Sequence, residues 1–84
     1  MKNDLNCSIE IVIANKCYDC NLDINRTLLA NIELILIMVK DEISNTYNSS
    51  NNLLVYEKYT NRFIELNKKV KDLYLSEGTT LLIY

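Results

Sequence analysis

Histidine, tryptophan and proline are absent from this chain of 84 residues, and glycine occurs once, at Gly78. Each absence removes a class of function. Without histidine there is no imidazole to act as general base, as partner to a serine or cysteine nucleophile, or as the commonest neutral metal ligand. With a single glycine, no Walker loop, dinucleotide fingerprint or glycine-rich phosphate cradle can be built. No run of apolar residues is long enough for a membrane span: the richest window, Leu28 to Val39, is broken by Asn31 and Glu33 and falls short of the ~20 residues a bilayer needs. The N-terminus shows no basic segment followed by an apolar core and a small-residue cleavage site, so a cytoplasmic location is the expectation. The net charge of −2 and a pI near 5.0 argue against a phosphate backbone as partner.

Three cysteines, Cys7, Cys17 and Cys20, are too few and too odd for a disulfide scaffold. Cys17 and Cys20 have the spacing of half a zinc knuckle, and Cys7 could add a third sulfur. A closed zinc site needs four ligands, however, so zinc requires a carboxylate such as Asp19 or Asp23, or a second chain. Carboxylates form no acid–base pair: Asp41 and Glu42 are adjacent, and Glu65 and Asp72 fall among lysines. No small-molecule substrate or catalytic role is indicated.

At 49% hydrophobic and 24% charged, the chain has the composition of one folded domain, residues 1–84. Tyr56, Tyr59, Phe63, Leu66, Val70 and Leu73 recur at intervals of three and four, with charged residues between them, which predicts an amphipathic helix opening at Leu53 and ending before Gly78. A partner helix is expected from about Asp23 or Asn25 to Ser44 or Asn45, its seam formed by Leu28, Ile32, Ile35 and Val39. Ile32 to Val39 could alternatively form a strand. The polar stretch Ser44 to Asn52 would turn one helix into the other. Alternation at Ile9, Ile11 and Ile13 predicts a strand over Cys7 to Ala14, followed by a loop over Asn15 to Asn21. Thr79 to Tyr84 reads as a second strand. Residues before Cys7 are expected to be loose.

The expected fold is therefore α+β: strand, helix, helix, strand, an antiparallel helical hairpin packed on a small antiparallel sheet. A mostly helical hairpin dimer is the alternative. In either case Phe63 is central, and Phe63→Asp is expected to unfold the chain. Leu34, Ile37 and Met38 lie off the seam, and Leu81 and Ile83 on an exposed strand edge, so these five are the candidate interface, with a homodimer as the natural completion. The functional expectation is a non-enzymatic protein-interaction module acting as a regulator or inhibitor. An AT-rich codon bias, with seven lysines against two arginines, suggests a virus or mobile element as its source. The alternative is a small zinc-stabilised or nucleic-acid-binding regulatory domain using the three cysteines and a lysine face of Lys58, Arg62, Lys68, Lys69 and Lys71 on the second helix.

Overall fold

The computed structural model describes residues 3–43 and 53–84. Its elements are β1 (Asp4–Ile11), β2 (Lys16–Asp23), α1 (Leu28–Met38), the short α2 (Lys40–Ile43), β3 (Val55–Glu57), β4 (Arg62–Phe63) and β5 (Thr79–Ile83). The strands form one mixed sheet in the order β2-β1-β5-β3-β4. β1 and β2 make an antiparallel hairpin in which Cys7 faces Cys20 and Ile9 faces Tyr18. A 3₁₀ turn over Val12–Ala14 and Asn15 at φ 54° close that hairpin; asparagine tolerates this left-handed conformation better than most residues. β5 returns into the middle of the sheet, parallel to β1 and antiparallel to β3.

Alternation along each strand sends one set of side chains to the helix. Cys7, Ile9 and Ile11 of β1, Leu22 of β2, Val55 of β3, and Leu81 and Ile83 of β5 meet Leu28, Ile32, Ile35 and Leu36 of α1 in one core. Burying a side chain of this size is worth about 1.5–3 kcal/mol, so the helix is held mainly by this contact. Its start is also tied down. Thr27 Oγ1 accepts from the Ala30 N–H at 3.1 Å, while the Leu28 and Leu29 N–H groups, which have no partner inside a helix, donate to the Lys68 and Leu66 carbonyls. Buried Asn31 locks this end to β2: its Oδ1 accepts from the Asp23 N–H at 2.8 Å, and its Nδ2 lies 3.0 Å from the Asp23 and Thr27 carbonyls.

The helical hairpin expected from the sequence is not present. The stretch from Tyr56 to Leu73 is β3, a turn, β4 and an extended segment ending in a 3₁₀ turn over Val70–Asp72. Only Val70 and Leu73 of its six seam residues are buried, and Tyr59 and Phe63 are among the most exposed hydrophobics. The seam of the first helix is buried as expected, but against the sheet; the helix begins at Leu28 behind Thr27, and neither Asp23 nor Asn25 caps it. Asn15 to Asn21 is mostly strand rather than loop, Asp4 to Asn6 is paired strand rather than loose, and Ile13 sits exposed in the hairpin turn. The first and last strands do pair, but in parallel. The expected turn from Ser44 to Asn52 lies outside the described residues.

Candidate protein-interaction face

A sheet covered by a helix on one side leaves its other side open, and here the open side is divided by chemistry. Across β4, β3, β5 and β1 the register places Phe63, Tyr56, Leu82 and Glu10 side by side in one row. The Tyr56 and Phe63 rings meet edge to face, with centroids 5.2 Å apart and planes at 75°, a favourable arrangement for two aromatic quadrupoles. Leu54 and Tyr84 extend β3 and β5 in the same phase, with the Tyr84 N–H donating to the Leu54 carbonyl at 2.9 Å. Phe63 is 63% exposed, Leu54 53% and Tyr84 48%. These five residues make a continuous apolar surface.

The hairpin that presents Tyr56 and Phe63 is anchored from beneath. Glu57, between them and the core, is only 1% exposed. Its carboxylate accepts from Thr79 Oγ1 at 2.8 Å and from Thr60 Oγ1 at 2.6 Å, and Arg62 Nε stands 4.0 Å away. Arg62 also donates to the Leu73 carbonyl, so its charge is directed inward. Asn61 at φ 57° closes the turn, and its Oδ1 accepts from the Tyr56 hydroxyl at 3.1 Å.

Of the expected interface residues, Leu34, Ile37 and Met38 lie on the outer side of α1 and are 53%, 66% and 73% exposed. Leu81 and Ile83 are fully buried in the chain's own core, and β5 is the central strand, paired on both sides, so it offers no edge. The free edges belong to β2 and to the two-residue β4.

The three cysteines do not converge. Three residues apart on a strand means opposite faces, so Cys17 points outward from β2 while Cys20 points inward, opposite Cys7. Burial pushes the Cys7 thiol up to about 12, reinforced by Cys20 and Glu77, and burial likewise raises Cys20, with Asp19 and Cys17 adding to it. Both thiols are therefore held in the protonated form at neutral pH. Among the described residues no group of three or more cysteine, aspartate or glutamate side chains is placed to hold a metal ion. The Tyr18 hydroxyl is shielded and has no hydrogen-bond partner at bonding distance among the described residues; burial, with the nearby negative charge of Glu42, raises its pKa. The expected lysine face is dispersed: Lys58 follows β3, and Lys68, Lys69 and Lys71 lie on the extended segment and its 3₁₀ turn. No helix among the described residues is long and apolar enough to cross a membrane.

No family model and no curated protein matches the chain. Solved structures do. One, reported under the words "Molecular Mimicry of SUMO promotes DNA repair", superposes with a TM-score of 0.79 at 8% identity, covering 100% of this chain and 94% of that one. The fold is the ubiquitin-like β-grasp. A de novo design based on ubiquitin matches with a TM-score of 0.66 at 17% identity, over 100% of this chain and 90% of that one. The ubiquitin-like domain of an Arabidopsis thaliana protein, solved by NMR, matches with a TM-score of 0.61 at 10% identity, over 99% and 78% of the two chains. At these identities the likeness speaks for the fold alone. It overturns the helical hairpin: the β-grasp packs one helix across a mixed five-stranded sheet, with the last strand, β5, inserted between β1 and β3.

Tyr56 and Phe63 belong to a sheet face rather than to a helix seam, and Leu54, Leu82 and Tyr84, outside the expected interface, complete that face. The available signal was the alternation of Thr80, Leu82 and Tyr84 with Thr79, Leu81 and Ile83, which leaves a second, outward apolar set once the inward set fills the core.

Proposed function

We propose that this ubiquitin-like domain is a non-enzymatic protein-interaction module that regulates or inhibits a partner by occupying one of its surfaces, and that it does so with the open face of its sheet. The observation that carries this reading is the continuous apolar patch of Leu54, Tyr56, Phe63, Leu82 and Tyr84 on the side away from the helix. Aromatic residues exposed together on a rigid sheet are the composition of interface hot spots, and an apolar patch of this kind commonly marks a contact site. Ubiquitin-like domains commonly act through protein contacts, which supports the same reading. The test is capture of partners from the source cell by wild-type chain and by two variants that keep the fold, Phe63→Asp on the sheet face and Ile37→Asp on the helix. Retention of a partner by Ile37→Asp and its loss from Phe63→Asp is the expected pattern; the reverse would move the site to the helix.

Self-association is a second reading, motivated by the exposure of Leu34, Ile37 and Met38 on one side of α1. Sedimentation at high concentration tests it: a dimer that Ile37→Asp dissociates supports this contact, and a wild-type monomer removes it.

A further inference from the structure

The open face is apolar over β5, β3 and β4 but acidic over β1 and β2. The outward positions of β1 are Asp4, Asn6, Ser8 and Glu10, and those facing them on β2 are Asp23, Asn21, Asp19 and Cys17. Four of the eight are carboxylic acids and none is lysine or arginine. Asp23 is partly neutralised by Arg26 at 3.5 Å, while Asp19 is oriented by the Ser8 hydroxyl at 3.1 Å. Glu10 is the join between the halves: it stands directly opposite Leu82 on the neighbouring strand, which in turn stands opposite Tyr56. On the apolar side, Arg62 reaches Glu57 and the Leu73 carbonyl, Lys68 lines the same groove as Phe63, and Lys58, just past β3 beside Thr80, also adjoins the patch, so the bases sit at its β3–β4 end, away from Glu10.

Resting on the reading of this face as a docking surface, we infer that its partner is a basic amphipathic protein segment, with apolar anchors over Tyr56, Phe63 and Leu82 and lysine or arginine over Glu10 and Asp19. The row from Phe63 to Glu10 crosses four strands, about 14 Å at the usual strand spacing, which is the length of roughly ten helical residues. The apolar contacts supply affinity. The acidic half selects among apolar segments, because a carboxylate in the partner would face Glu10 and Asp19 with like charge. An acidic partner segment is rejected by the same geometry, and so is an anionic surface such as a nucleic-acid backbone or an acidic membrane.

The experiment is selection of a randomised peptide display library on the full chain, with counter-selection on Phe63→Asp. A parallel selection uses the double variant Glu10→Lys/Asp19→Lys, which alters exposed or half-exposed outward positions and leaves the core intact. Peptides enriched on wild type should carry lysine and arginine next to apolar anchors. They should bind the double variant about tenfold more weakly at low salt, a difference that shrinks in 0.5 M NaCl. The double variant should itself enrich acidic peptides. Enrichment of apolar peptides with no charge bias, or with the same bias on both proteins, overturns the inference but leaves the docking face standing. If nothing is enriched on wild type over Phe63→Asp, the docking face fails as well.

Discussion

Glu57 carries a carboxylate into the interior of a domain with few polar groups there, and removing it tests how the aromatic hairpin is held. Glu57→Ala deletes the acceptor for two hydroxyls. Thr60 is exposed and its hydroxyl can turn to water, so its loss costs little. Thr79 is buried, and its hydroxyl would be left without the charged acceptor now 2.8 Å away. A hydrogen bond to a charged group contributes about 1.5–3 kcal/mol. The vacated volume adds a cavity, while relief of the buried charge works in the opposite direction. The hydrogen bond and cavity together should win, for a net loss of about 2–3 kcal/mol, out of a total stability of roughly 5–15 kcal/mol for small domains. Glu57→Gln keeps the shape and one acceptor oxygen, so it should cost about half as much. Urea unfolding followed by circular dichroism measures both, and a double-mutant cycle of Glu57→Gln with Thr79→Val isolates the pair. A Glu57→Ala variant as stable as wild type, or a coupling near zero, would refute the claim that this bond anchors the turn.

Core and surface substitutions should separate cleanly. Leu81→Ala, in the centre of the sheet, should cost about 2–5 kcal/mol in urea unfolding, whereas Leu34→Ala on the outer helix should fall within about 0.5 kcal/mol of wild type. Phe63→Asp should remain folded by circular dichroism, contrary to the hairpin expectation; an unfolded variant would show that the exposed Phe63 ring is needed to hold the sheet. Gly78 sits at φ 80° with nothing near enough to clash with an added Cβ, so Gly78→Ala should cost about 1 kcal/mol from backbone conformation alone. Cys7 makes stability fall at alkaline pH. Its folded pKa of about 12 lies above the unfolded value of 9.0, so the protonated thiol stabilises the fold below pH 9, and that contribution is lost as pH rises toward 12. The full loss is of order 4 kcal/mol. Stability against pH between 8 and 11 should decline in wild type and decline less steeply in Cys7→Ala, where the raised Cys20 and Tyr18 still contribute; equal slopes would show that Cys7 is not the group responsible.

Much of the core was legible in the sequence. Ile9 and Ile11 alternate on β1, Leu28, Ile32 and Ile35 share a helix face, and the last residues form a strand. The topology was not legible, for two physical reasons. Residues seven apart share a face in a helix, but Tyr56 and Phe63 are also seven apart and meet directly across a hairpin, so their spacing fits both structures. The turn residue Asn61, rather than the apolar spacing, distinguishes them. The second reason is that β2 is an edge strand whose outward positions are polar, so Cys17 to Asn21 resembled a loop. Its inward set of Tyr18, Cys20 and Leu22 has the period of two. Once β2 is a strand, Cys17 and Cys20 fall on opposite faces and the zinc expectation loses its geometry. The docking face depends on register between strands distant in sequence, which no local pattern contains.

The most direct test of the central claim is a two-dimensional NMR titration of the isotopically labelled chain with a peptide enriched in the selection. The account predicts shifts centred on Tyr56, Phe63 and Leu82 and extending to Ser8, Glu10 and Asp19, with Leu34, Ile37 and Met38 unmoved. Shifts confined to those three helix residues, with the sheet face silent, would contradict it.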